Sequence, residues 1–111
     1  MIKMEQLFVY GTLGPGKPNG HILNALNGSW IKGYLWGQLF EEGWGATLGY
    51  PGLRLDDKHQ KIHGHIFVSN ELERFWKELD AFEGDAYQRV RTAVYIAESN
   101  EETEAHVYIL K

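Results

Sequence analysis

Residues 70–84 read NELERFWKELDAFEG and predict the main helix of the fold. Asn70 and Glu73 stand in the relative positions of a capping box, and Gly84 is a residue that commonly ends a helix. The apolar residues between them recur at the spacing that lines one helix face: Leu72, Phe75, Trp76, Leu79 and Phe82. The stretch therefore predicts a helix over 70–82 with one buried face.

Strand-like segments surround this helix on both sides. Residues 6–11 form an apolar run that ends in glycine, and residues 30–40 and 61–68 alternate between two faces. Two more alternating segments, 87–97 and 103–110, follow the helix and are joined by the polar loop ESNEE. We expect an α+β fold with antiparallel pairing between neighbours and parallel pairing around the helices.

Glycines and aromatic residues indicate how this sheet is shaped. The chain has 13 glycines but only 3 prolines, together with 4 Trp, 6 Tyr and 5 Phe. Glycine among short aromatic strands favours a tightly curved sheet or a small barrel. Residues 19–26 predict a short second helix capped by Asn19, and residues 41–54 predict turns with one short extended piece. We expect a single domain over residues 1–111.

Composition excludes several classes of function. The absence of cysteine excludes disulfide scaffolds, cysteine nucleophiles and thiolate metal sites. A net charge of −4 without a basic run argues against binding to nucleic acid. The longest apolar run, residues 93–97, is too short to cross a membrane, and the N-terminus has no signal-peptide core. We therefore expect a cytoplasmic protein without a nucleic-acid or membrane partner, as a monomer or weak homodimer.

The loop over residues 11–18, GTLGPGKP, nearly matches a phosphate-binding loop. Pro18 stands where that motif needs a hydroxyl to ligate Mg²⁺, and proline also lacks a backbone N–H. We therefore predict no functional nucleotide site here and interpret the loop as a rigid turn. Its backbone N–H groups remain able to bind another small anion, such as a carboxylate.

His63 and His65 share one face of a predicted strand, as two metal ligands on a small barrel would. Glu71 and His106 are the residues that could complete a ligand set. The alternative is that both histidines are polar residues on a partly solvated strand face. Because one His-x-His pair is a thin ligand set, we predict that no metal is required.

Glu83 lies at the end of the predicted helix, directly before Gly84. The helix dipole disfavours an ionised carboxylate there, and apolar neighbours such as Phe82 would raise its pKa further. A carboxyl with such a pKa can transfer protons near neutral pH. Asp80, one turn earlier, could form a carboxylate pair with it; an exposed acidic helix end explains both residues equally well.

Two motifs give the chain a family resemblance. The first is FVYGTL at residues 8–13, and the second is LDAFEG at residues 79–84, followed by Tyr87 and Arg89. Together they resemble the gamma-glutamylcyclotransferase-like family, in particular its small bacterial and gamma-glutamylamine cyclotransferase branches. The resemblance covers nearly the whole chain. It implies a small mixed β-barrel with one main helix packed on it and a short second helix.

The same resemblance implies an enzyme that needs no cofactor. Its reaction is attack of a gamma-glutamyl substrate's own α-amine on its amide, which releases 5-oxoproline and an amine, with Glu83 as general acid and base. It implies a substrate site between the YGTL loop and Glu83, with tyrosines as walls and hydroxyl donors. The substrate-binding residues would be Tyr10, Gly11, Thr12, Leu13, Tyr87 and Tyr108. The alternative is a non-catalytic module that binds a small carboxylate on the same fold.

Overall fold

The computed structural model describes residues 4–10, 20–40, 52–55, 60–85 and 87–110. Within these ranges the chain forms strands and helices in the following order: β1 (Glu5–Val9), α1 (Gly20–Asn24), β2 (Ser29–Phe40), β3 (Gly52–Leu55), β4 (Gln60–Ser69), α2 (Leu72–Glu83), β5 (Tyr87–Ile96) and β6 (Glu102–Leu110). No helix in the described part of the chain is long and apolar enough to cross a lipid bilayer.

The strands form one curved sheet that closes on itself. Its order is β3-β2-β4-β1-β6-β5, and β5 pairs again with β2 to complete a barrel of β2, β4, β1, β6 and β5. The β1–β6 pair is parallel, whereas the other pairs are antiparallel. The predicted α+β class with a small mixed barrel is therefore confirmed.

Glycine allows the barrel to close tightly at one position. Gly33 on β2 lies opposite Gly64 on β4. A Cβ atom at Gly64 would lie 2.7 Å from Cζ of Phe8 and closer still to the backbone oxygen of Val9, and one at Gly33 would lie 2.8 Å from the backbone oxygen of Tyr95. Side chains at these two positions would collide with the barrel wall, as expected of a tightly curved sheet.

Apolar side chains fill both faces of the barrel wall. The interior core consists of Phe8, Leu35, Leu53, Ile62, Ile66, Val94, Ala105 and Val107. A second core lies where the helices pack on the outside of the sheet, and it includes Leu23 of α1, Leu72 and Leu79 of α2, and the tyrosines Tyr87 and Tyr108. Because Tyr87 and Tyr108 belong to this second core, they lie beside α2.

The main helix differs in two details from the sequence prediction. It begins at Leu72 with Glu71 as the N-cap, where the sequence predicted Asn70. The Glu71 side chain makes no capping hydrogen bond, and the predicted capping box of Asn70 and Glu73 does not form. Ser69 holds the turn instead: its buried hydroxyl accepts a hydrogen bond from the Glu71 N–H at 3.0 Å and donates one to the Asn27 carbonyl. Phe82, predicted on the buried face, is 37% exposed.

Candidate active site

Glu83 is the last residue of α2, and the chain turns sharply after it. Gly84 has φ 84°, a left-handed conformation that favours glycine, and its N–H donates to the Asp80 carbonyl at 3.1 Å. The Tyr87 N–H then donates to the Gly84 carbonyl at 3.3 Å. This turn leads directly into β5 and fixes the carboxyl of Glu83 where the helix meets the barrel.

Burial changes the acidity of Glu83. It raises the pKa of the carboxyl from 4.5 to about 7, because desolvation penalises the ionised form. The prediction of a raised pKa stated two causes, the helix dipole and apolar neighbours; burial is the cause that the structure identifies. At neutral pH the group is therefore present in both protonation states, as a proton-transfer residue requires.

Three tyrosines lie close enough to Glu83 for its charge to raise their pKa values. Burial, followed by the charge of Glu83, raises the pKa of Tyr10 and of Tyr87. Burial likewise raises the pKa of Tyr108, with Asp80 and Glu83 contributing in the same direction. These residues come from the end of β1, the start of β5 and the end of β6, so the barrel assembles Tyr10, Glu83, Tyr87 and Tyr108 at one site.

Two of these tyrosine hydroxyls donate their protons to the protein. The Tyr10 hydroxyl donates to the backbone carbonyl of Tyr108 at 2.7 Å, and the Tyr108 hydroxyl donates to Oδ1 of Asp80 at 2.6 Å. The Tyr10 ring also stacks on Phe8, with centroids 6.4 Å apart. Tyr10 was predicted to offer a hydroxyl donor to the substrate; in this conformation its proton is donated to the Tyr108 carbonyl.

Asp80 is bound by Arg89, a residue for which the sequence predicted no role. Arg89 on β5 binds it in a bidentate manner, with Nε 2.9 Å from Oδ1 and Nη2 3.3 Å from Oδ2. The Arg89 hydrogen bond keeps the pKa of Asp80 below its usual range. Asp80 therefore pairs with Arg89; the interpretations from the sequence were a carboxylate pair with Glu83 and an exposed acidic helix end.

The polar contacts continue from Arg89 to His106 on β6 and Glu5 on β1. Its guanidinium lies over the ring of Trp76, 4.4 Å from the ring centroid, and Nη1 is 3.1 Å from Nδ1 of His106. Nε2 of His106 is 3.3 Å from Glu5. Because a guanidinium can only donate, Nδ1 of His106 accepts from Arg89, and the ring is neutral with its proton on Nε2, which faces Glu5. Burial and the positive charge of Arg89 lower the pKa of His106.

The residues considered for a metal site are used in other contacts. His63 packs against Tyr34 on the outside of the barrel, with ring centroids 6.2 Å apart, and His65 packs edge-on against Trp30. Glu71 accepts a hydrogen bond from the Asn27 N–H, and His106 lies between Arg89 and Glu5. Among the described residues no group of three or more suitable side chains could hold a metal ion.

The predicted anion-binding loop lies outside the described residues. This applies to Gly11, Thr12 and Leu13, and equally to the segment for which we predict no nucleotide site. Those assignments remain predictions.

Residues 7–111 match the family described as gamma-glutamyl cyclotransferase, AIG2-like. The chain belongs to this family. As a gamma-glutamyl cyclotransferase-like protein it carries both sequence motifs within the matched region, and Glu83 lies in the second of them.

Solved structures share the fold of this gamma-glutamyl cyclotransferase-like chain. An AIG2-like protein from mouse is 25% identical, with a TM-score of 0.71 over 96% of this chain and 76% of its own. YkqA from Bacillus subtilis is 24% identical, with a TM-score of 0.74 over 98% of this chain and 36% of its own. A structure named gamma-glutamyl cyclotransferase is 12% identical, with a TM-score of 0.64 over 98% of this chain and 68% of its own. No curated protein matches the chain.

Proposed function

We propose that this protein is a gamma-glutamyl cyclotransferase that acts on a small gamma-glutamyl amine or peptide and releases 5-oxoproline. The observation that carries the proposal is the Glu83 carboxyl, whose pKa burial raises to about 7, at a site lined by Tyr10, Tyr87 and Tyr108. Membership in the gamma-glutamyl cyclotransferase, AIG2-like family supports it.

The reaction suits a site with one proton-transfer group. The nucleophile is the α-amine of the substrate, so the attack is intramolecular and needs no serine or cysteine from the protein. Well-oriented intramolecular reactions reach effective molarities of about 10⁵–10⁸ M. The protein has to hold the gamma-glutamyl chain in a folded conformation and to move protons away from the attacking nitrogen and onto the leaving nitrogen.

Glu83 performs each proton transfer in this proposal. Its carboxylate takes a proton from the substrate's α-ammonium group, and the freed amine attacks the carbonyl carbon of the gamma-amide. The five-membered tetrahedral intermediate then collapses: the bond from carbon to the leaving nitrogen breaks, and the protonated Glu83 donates its proton to that nitrogen. The ring nitrogen still carries one extra proton at this point. That proton passes to the Glu83 carboxylate and from there to water, and the products are 5-oxoproline and an amine.

The other proposed groups bind and orient the substrate. Backbone N–H groups of Gly11, Thr12 and Leu13 are the candidates to hold the α-carboxylate or the developing oxyanion. Tyr10, Tyr87 and Tyr108 would form the walls around the gamma-glutamyl chain. Tyr87 and Tyr108 are 8% and 4% exposed, so little of either side chain is in contact with solvent.

Product analysis tests this proposal. We expect the wild-type protein, incubated with a panel of gamma-glutamyl amines and dipeptides, to release 5-oxoproline and the free amine in a 1:1 ratio, detected by proton NMR. The isomeric α-glutamyl compounds serve as controls and should remain intact. Saturable binding of gamma-glutamyl compounds without any 5-oxoproline would instead support the carboxylate-binding module.

A further inference from the structure

The second carboxylate of the site, Asp80, is hydrogen-bonded to both Tyr108 and Arg89. Its Oδ1 receives the Tyr108 hydroxyl proton at 2.6 Å, while Arg89 binds both oxygens. A carboxylate kept ionised by an arginine is an acceptor only, so the proton in the contact with Tyr108 belongs to the tyrosine. The Asp80–Arg89 pair thus determines where the Tyr108 hydroxyl proton points.

The direction of this proton matters because Glu83 is a second carboxylate whose charge acts on Tyr108. Glu83 follows Asp80 by three residues on α2, and side chains at this spacing lie on the same helix face, with Cβ atoms about 5–6 Å apart. The charge of Glu83 contributes to the raised pKa of the Tyr108 hydroxyl. A hydrogen bond donated to a carboxylate stabilises its ionised form and makes it a weaker base.

We propose that the Asp80–Arg89 pair is a positioning unit that directs the Tyr108 hydroxyl proton away from Glu83 and so preserves the ability of Glu83 to take up a proton. Asp80 and Arg89 act through Tyr108 and do not touch the substrate. Packing of Arg89 on Trp76 and its contact with neutral His106 hold the guanidinium in place. The inference deepens the proposed function, on which its catalytic meaning rests.

Several charged and titratable groups surround Glu83, so the experiment has to distinguish the effect of a changed charge from the effect of a redirected hydrogen bond. Tyr10 from β1, Tyr87 from β5 and Tyr108 from β6 are coupled to its charge, while Asp80, Arg89 and His106 form the next layer. Removing Asp80 alters both a charge and the direction of a proton. Only the second effect requires the Tyr108 hydroxyl, so a variant that also lacks this hydroxyl separates the two.

The experiment is a carbon-13 NMR titration of the Glu83 carboxyl in the free protein, which needs no substrate. In Asp80→Ala we expect the midpoint to fall by about one unit or more, because Tyr108 turns its proton to Glu83. Adding Tyr108→Phe to this variant should return the midpoint most of the way to the wild-type value. Asp80→Asn keeps an acceptor for Tyr108 and should give an intermediate midpoint.

Three results would overturn the inference. The first is an unchanged midpoint in Asp80→Ala, and the second is a midpoint that stays low after Tyr108→Phe is added. The third comes from Tyr108→Phe alone, which is informative even if Asp80→Ala does not fold. We expect its midpoint to match the wild type, and a rise of a unit would show that Tyr108 already donates to Glu83. Absence of 5-oxoproline would refute the proposed function and leave this titration unaffected.

Discussion

Replacing Glu83 with glutamine is expected to lower the rate of 5-oxoproline formation by about 10²–10⁴-fold, the usual contribution of a general acid or base. Glutamine keeps the size and hydrogen-bonding capacity of the side chain but cannot exchange a proton. Because the loss concerns proton transfer, it should appear in kcat, with KM for the gamma-glutamyl substrate little changed. The measurement is steady-state release of 5-oxoproline by both proteins.

Glu78→Gln is the matched control for this comparison. It is the same chemical change on the same helix, at an exposed side chain, and should leave turnover at the wild-type level. Asp80→Asn, the obvious choice from the sequence, is unsuitable because Asp80 binds Arg89 and Tyr108. A folded Glu83→Gln protein with wild-type turnover would remove Glu83 from the mechanism.

The same variant is expected to be more stable than the wild type at alkaline pH. Glu83 has a folded-state pKa of about 7 against an ordinary value of 4.5, so the folded protein binds this proton more tightly than the unfolded chain does. Its stabilising effect is therefore complete below pH 4.5 and is lost as the pH rises towards 7. Glutamine, which cannot ionise, avoids that loss.

Thermal unfolding at several pH values measures this difference. With about 1.4 kcal/mol for each pKa unit, the full shift corresponds to about 3 kcal/mol, and partial solvation of Glu83 reduces the expected gain to about 1–3 kcal/mol. We expect a Tm several degrees above the wild type at pH 8, at about 4 °C per kcal/mol, and nearly equal values at pH 4.5. Glu78→Gln should show no such pH dependence. A Tm difference that is the same at both pH values would contradict the raised pKa of Glu83 in the folded protein.

Local periodicity was sufficient to predict the elements that place Glu83. The spacing of Leu72, Phe75, Trp76 and Leu79 predicted α2, and Gly84 predicted its end. The start of the helix was displaced because the buried hydroxyl of Ser69 holds the turn before it, and this depends on Asn27, more than forty residues away. Contacts of that kind leave no local signal.

The closure of the barrel and the partner of Asp80 were not predicted from the sequence. Closure depends on pairing of Gly33 and Tyr34 with Ile96 and Tyr95 across the sheet. Arg89 reaches Asp80 from a strand to a helix, at a separation of nine residues that is neither a helical nor a strand period. The outward alternation of β5, which places Tyr87 and Arg89 on one face, is the signal that could have linked Arg89 to the site.

The pH dependence of kcat/KM for 5-oxoproline formation tests the central claim most directly, because it reports the ionisation of the proton-transfer group in the free enzyme. Glu83 must be ionised to take the proton from the substrate's ammonium group. We therefore expect kcat/KM to rise with pH, with a midpoint at about 7, before any fall caused by deprotonation of the substrate itself. A profile already level from pH 5.5 upwards, as a carboxyl with the ordinary pKa of 4.5 would give, would contradict the account.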